Sequence, residues 1–387
     1  MAEKVEFYRE TEFKDTEIGR ISKEWEIKKL SEFLHLENGK RPNIVVNGKF
    51  PVYGANGIMG YTDAYMVDDD IVIIGRVGAA GEVHLARGKI WLSDNVIYGI
   101  NKNRTKIYLD FIFYVLKYTN LSRFASKTTH PIITQTILEN FKVPVPPLAE
   151  QQKIAEILST VDEAIQKTDD IMAKTERLKK GLMQELLTKG IGHTEFKVTE
   201  IGKIPKEWEV VKLENVVEIE DKYRIPVKKQ DRQPGPFPYC GANGIIDYVA
   251  GYTHDGKFVL LAEDGGFFGP FENSAYIMRG KFWANNHVHI LKAIEEVLIS
   301  EFLAFYLNFI NLVPFLTGST RPKLTQEDMG MIPLPLPPLE EQQKIAEILS
   351  TVDKKLEILK QEKVKLERIK QWFMEELLTG RIRVRVA

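Results

Sequence analysis

The sequence predicts an α+β chain made by tandem duplication, with two globular mixed α/β units separated by an antiparallel coiled coil of two long helices. Three repeated stretches carry that reading. LAEQQKIAEILSTVD at Leu148 returns as LEEQQKIAEILSTVD at Leu339. FKDTEIGRISKEWEIKKL from Phe13 returns as FKVTEIGKIPKEWEVVKL from Phe196, and GANGI at Gly54 returns at Gly241. The order is kept throughout, so the whole chain is two copies of a period of about 185 residues. The expected domains are residues 1–147, the first globular unit; 148–195, a central long helix; 196–338, the second globular unit; and 339–387, a distal long helix.

Each long helix is legible from its ends and its composition. A proline-rich lead, VPVPP from Val143 or LPLPP from Leu334, holds the approach extended, and the following stretch is proline-free and rich in Ala, Leu, Lys, Glu and Gln. Glu150, Glu340 and Glu341 suit the positive helix start, and Gly190 and Gly380 are natural stops. Roughly 40 residues at 1.5 Å each give a rod of about 60 Å, so its apolar stripe needs a partner. Alternating steps of four and three from Ile154 reach Leu158, Val161, Ile165, Thr168, Met172, Thr175, Lys179, Leu182 and Leu186. The same walk from Ile345 reaches Leu349, Val352, Leu356, Leu359, Lys363, Leu366, Lys370, Phe373 and Leu377. This is the coiled-coil period, interrupted by polar residues late in each seam. Two matched seams in one chain can cover each other as an antiparallel pair.

Inside the globular stretches, IVIIG from Ile71 and FVLLA from Phe258 have the short continuous apolar runs of buried strands. DFIFYVLKY from Asp110 and EFLAFYLNF from Glu301 have helical spacing, so each unit should hold a twisted, partly open sheet with a few helices. The two copies differ at Leu36 to Val52, Arg76 to His84, Ile219 to Tyr239 and Glu263 to Phe271. One framework carrying two sets of loops is the pattern of one scaffold with two specificities.

Composition is that of a globular protein, with 44% hydrophobic and 28% charged residues and a net charge of −1. Any contact with an anionic partner must therefore be local. Cys240 stands alone, which excludes an internal disulfide and suits a reducing cytoplasm. The start MAEKVEFYRE has no secretory character, and the apolar stretch from Phe302 to Leu316 is too short and interrupted to span a membrane.

Catalytic constellations are missing. No Pro-Asp pair starts a nuclease motif, no Asn precedes a Pro-Pro pair as amino-methyltransferases require, and neither G-x-x-x-x-G-K-[ST], G-x-G-x-x-G nor G-x-S-x-G occurs. GRVGAAG from Gly75 reads as a tight turn, and Asp68 to Asp70 as a solvated turn before a strand. His287 and His289 would share one face of a strand, but the first unit has no histidine at the matching positions, so a structural role is expected and no metal site.

The paired EIGxIxKEWE stretches, GANG loops and [VL]PxPPLxEQQKIAEIL helices resemble the specificity subunit of type I restriction-modification enzymes, over Phe13 to about Ile382. The resemblance implies a non-catalytic subunit in which each globular unit is a target-recognition domain for half of a split, non-palindromic site in double-stranded DNA. It also implies helices that space those domains and dock two methyltransferase (modification) subunits and the restriction/translocase subunits. S-adenosylmethionine, ATP and Mg would belong to those partners and no cofactor to this chain. The residues expected to touch DNA are Lys40, Arg41, Arg76, Lys222, Arg224, Lys228 and Lys229 in divergent loops. Lys127, Thr128 and Thr129, with Ser319, Thr320 and Arg321, could add contacts through hydroxyls and amines. Two other readings compete: a coiled-coil adaptor joining two proteins without reading DNA, and a self-contained methyltransferase, against which the missing motifs count.

Overall fold

The computed structural model describes residues 6–127, 129, 131–320 and 322–385. Contacts group the chain into two units, Met1–Asp169 with Glu362–Ala387, and Asp170–Gln361. Both divisions fall inside the long helices, Leu148–Lys189 and Leu339–Leu378. Each unit therefore contains the start of one long helix and the end of the other.

In the first unit the strand Ile71–Gly75 pairs antiparallel with Val83–Ala86 on one side and Val96–Asn101 on the other, and Leu34–Asn38 completes that sheet. All five residues of Ile71–Gly75 are buried because both faces of the sheet are covered. Val72 and Ile74 face the core that contains Phe111, Ile112 and Leu116 of the helix Leu109–Thr119. Ile71 and Ile73 face a smaller core with Val67, Ile90 and Leu92 from a second four-stranded sheet. The second unit repeats the plan in one six-stranded sheet. There Val259, Leu261 and Leu291 join the core around Phe302 and Leu303 of the helix Ser300–Phe309. Phe258, Leu260 and Ile290 close the opposite face.

The duplicated EIGxIxKEWE stretch is a hairpin, Phe13–Thr16 with Gly19–Ser22 and Phe196–Thr199 with Gly202–Pro205. Its tryptophan goes to the start of the long helix. Trp25, fully buried, donates to Glu150 at 3.4 Å, and Trp208 donates to Glu341 at 3.0 Å. The next residue, a buried glutamine, ties that helix start to the sheet unit. Gln151 donates to the carbonyls of Lys106 and Pro146 and accepts from the Tyr108 amide; Gln342 does the same with Val297, Pro337 and Ile299. These six bonds explain why EQQ recurs, since each satisfies a backbone group that the proline lead or the loop would leave unpaired.

A basic side chain from beyond the end of a long helix completes each node. In the first unit the strand Ile382–Arg385 pairs with Glu6–Arg9 and places buried Arg383 on Glu150 at 2.7 and 2.9 Å, on Glu10 at 2.7 Å and on Glu24 at 3.0 Å. In the second unit His193 meets Glu341 at 3.0 Å. Gly190 adopts φ +68°, and a Cβ on it would lie 2.4 Å from Glu341, so only glycine fits this helix stop.

Within each unit the long-helix segments run antiparallel. Asp162 pairs with Lys370, and Asp169 pairs with Lys363 at 2.7 Å, so one heptad forward on the first helix is one heptad back on the second. In the other unit Asp353 pairs with Lys179 at 2.6 Å. The repeat carries Asp162 onto Asp353 and Lys179 onto Lys370, so one ion pair is made once in each unit. The lysines that interrupt the apolar walk are therefore the groups that fix the register. Ile154, Leu158, Ile345, Leu349, Leu356, Leu359 and Leu377 are buried, and Val161, Ile165, Leu182, Leu186, Val352, Leu366 and Phe373 are half-buried. Thr168 and Thr175, also buried, return their hydroxyls to the carbonyls of Ala164 and Ile171.

Replacing Arg383 by Ala leaves the Glu150 carboxylate buried without its cation, and the first unit is expected to lose about 3 kcal/mol or more in urea unfolding. Burial pushes the Glu10 carboxyl up, but hydrogen bonds from Ser22, the backbone of Glu12 and Arg383 outweigh it and hold it down, to about 2. Its folded value lies below the ordinary 4.5, so its stabilisation is complete above that pH and is lost as pH falls toward 2. Glu10→Gln is expected to flatten that acid limb; an unchanged limb would remove Glu10 from the account.

Candidate nucleic-acid interface

The divergent loops lie beside one hairpin in each unit. In the first it joins Phe50–Gly54 to Gly57–Thr62, and in the second Pro234–Gly241 to Gly244–Val249, with GANG at both turns. Gly57 and Gly244 sit at φ +102° and +110°, where other residues are strained. One residue past the turn the register slips, between Val52 and Tyr53 and again between Tyr239 and Cys240, making a β-bulge at Met59 and at Ile246. A bulge breaks the inside-outside alternation, so Ile58 and Met59 are both exposed, as are Ile245 and Ile246. The bulged side chain folds back over a glycine: a Cβ on Gly54 would lie 3.0 Å from Met59 Sδ, and one on Gly241 2.3 Å from Ile246 Cδ1.

The loop before each hairpin is anchored at matched points. Trp91 Nε1 donates to the Lys40 carbonyl at 3.0 Å, and Trp283 Nε1 donates to that of Ile225 at 2.7 Å. Lys40 and Arg41 are exposed on the first of these loops and Lys222, Lys228 and Lys229 on the second. Lys127, Thr129, Ser319 and Thr320 are exposed elsewhere, while Thr128 and Arg321 lie outside the described residues. Arg76 is half-buried, its backbone bonded to Asn95 and Ile133.

Arg224 is placed differently from the expectation for a phosphate contact. It points inward, to Glu263, to the Val288 carbonyl at 2.7 Å and to Asp221 at 3.3 Å, because its loop crosses the ends of interior strands of the sheet. The two histidines share that neighbourhood. His289 is buried, with Nδ1 2.6 Å from Asp221 and Nε2 2.8 Å from the Leu324 carbonyl, and His287 meets Asp264 at 2.6 Å. Asp221, Glu263 and His289 could offer ligand atoms within 4.8 Å of one another. Glu263 already holds Arg224 and Lys323, however, so side-chain cations balance its charge. The chemistry of the donor set is that of a buried ion network joining two divergent loops to the sheet. Sequence reading found the histidines but not their acidic partners, which lie 23 and 68 positions away. Asp68, Asp69 and Asp70 are likewise spoken for, by Lys89, Arg104 and Arg87.

Burial pushes the thiol of Cys240 up to about 12, with a hydrogen bond from Tyr276 opposing the rise only in part. Among the described residues no helix is long and apolar enough to cross a membrane.

Comparison with known proteins gives a consistent result. The model of the family "Type I restriction modification DNA specificity domain" matches residues 22–176 and again 205–368. Curated relatives include the type I restriction enzyme MjaVIII specificity subunit of Methanocaldococcus jannaschii, 31% identical, with 98% of each chain covered. The putative MjaX specificity subunit of the same organism is 29% identical over 98% of this chain and 99% of its own. Among solved structures, the type I restriction-modification S subunit from M. genitalium superposes with a TM-score of 0.70 at 18% identity, covering 91% of this chain and 96% of that one. Two matched family domains on a duplicated framework, together with relatives aligned end to end, place this chain in the family of type I restriction-modification specificity subunits.

Proposed function

We propose that the chain reads a bipartite, non-palindromic site in double-stranded DNA, each globular unit taking one half, and that it carries out no chemistry itself. The observation that carries this is the pairing of a preserved framework with divergent loops around the same hairpin in both units. Exposed Lys40, Arg41, Lys228 and Lys229 on those loops supply local positive charge in a chain of net charge −1. Such residues position a duplex through its phosphates, while neighbouring polar groups read base edges. Arg224 serves in this reading as a support for the reading loops rather than as a contact.

In the same reading the long helices set the spacer between half-sites and dock two methyltransferase subunits, which in turn bring restriction/translocase subunits. Exposed apolar residues on the helices suit helical partners: Ile369 and Trp372 in the first unit, Leu178 and Ile358 in the second. S-adenosylmethionine, ATP and Mg then belong to those subunits. The purified chain alone should show no methyl transfer, cleavage or ATP hydrolysis, and turnover by it would remove this reading.

Exchanging Ile219 to Phe271 for the matching stretch of a differently specific relative is expected to change one half of the methylated sequence and leave the other intact. Altered bases in both halves would defeat the assignment of one half-site to each unit. Inserting one heptad at matched positions of both helices keeps each seam in phase and adds about 10 Å, or up to about three base pairs of spacer. Some affinity should be lost, because about three base pairs also rotate one half-site by roughly 100°. An unchanged spacer at full activity would show that the helices do not set it.

A further inference from the structure

We propose that the two bulged hairpins enter a groove of the duplex and make the same apolar, sequence-independent contact in each half of the target. This rests on the reading that the chain binds duplex DNA. It concerns residues outside the divergent loops, at positions that framework reasoning leaves without a task.

The hairpins expose the same surface in both units. Relative exposures are 53% for Ile58, 50% for Met59 and 47% for Tyr61, against 48% for Ile245, 56% for Ile246 and 53% for Tyr248. Turn geometry accounts for the glycines, since Gly57 and Gly244 have positive φ and Gly54 and Gly241 lie beneath the bulged side chain. It does not account for three large apolar side chains half in water, where polar ones would serve the strand equally well. The bulge, made at the same place in both copies, presents two consecutive apolar residues together.

What the two units share answers to what their two targets share. The bases of the half-sites differ, but the walls and floor of a groove do not, and aliphatic wedges on strands are a known way to engage them. The surroundings favour DNA over protein. In the first unit the loop Gly39 to Lys49 carries Lys40, Arg41 and Lys49 and no acidic residue. It lies against the hairpin: the Val45 amide donates to the Tyr61 carbonyl, and Ile44 covers Gly60. In the second unit Arg232, on the loop bearing exposed Lys228 and Lys229, pairs with Asp247 of the hairpin at 3.1 Å. An apolar tip between cationic loops fits a groove between phosphate rows.

The test uses the chain assembled with its modification subunits. One variant carries Ile58→Ser with Met59→Ser, a second carries Ile245→Ser with Ile246→Ser, and a conservative control carries Ile58→Val with Met59→Leu. Affinity is measured for a duplex carrying the methylated target and for an unrelated duplex. Each serine pair should weaken binding to both duplexes by about tenfold or more, with the ratio between them unchanged, and the conservative pair should bind normally. Undiminished binding by both serine variants would overturn the proposal. A changed target-to-unrelated ratio would make these residues base readers, against the claim of sequence independence. Loss of assembly with normal affinity in the complexes that form would mark the hairpins as protein-docking surfaces. Should the unaltered complex bind no duplex, the functional reading itself fails and this inference falls with it.

Discussion

The carboxylate at the start of each long helix is the point on which the rest depends. Glu150 accepts from Trp25 and is neutralised by Arg383, and Glu341 accepts from Trp208 and meets His193. Arg383 and His193 each arrive from just past the end of the other long helix. Each unit is thereby closed by chain from both copies, and in the first unit the helix start cannot leave its place without separating the buried pair of Glu150 and Arg383. Breaking such a pair by removing one member costs about 3–5 kcal/mol, far more than an exposed ion pair contributes.

The same principle extends along the helices. An apolar seam alone would tolerate sliding by a heptad, but Asp162 with Lys370 and Asp353 with Lys179 match in one register only. Buried threonines interrupt the seam further. The repeated sequence thus specifies alignment at some loss of apolar burial, as polar seam positions do in other coiled coils.

Much of this was legible in the sequence, because it follows from local rules and from repetition. The proline leads, the glycine stops and the heptad walk located both long helices, and the continuous apolar run Ile71 to Gly75 became a strand buried on both faces. The polar seam lysines read as imperfections, since their partners are far away in sequence and appear only once the helices are paired. Arg224 read as a loop cation because nothing local shows that Glu263 and Asp221 fold beneath it. GANGI read as framework for a similar reason. A repeated glycine turn announces its backbone geometry, but the bulge that turns Ile58 and Met59 outward depends on strand pairing.

In the proposed function, constant and variable parts divide the work of recognition. The bulged hairpins and the Trp-Glu-Gln ties are the same in both units and in that proposal set position, whereas the loops around them differ and would carry choice. The most direct measurement of that division is the mapping of methylated positions in the genome of the native cell, with and without the gene for this chain. The account requires a motif, dependent on the chain, with two different half-sites at a fixed spacing. A palindromic or continuous motif, or methylation unaltered by loss of the chain, would contradict it.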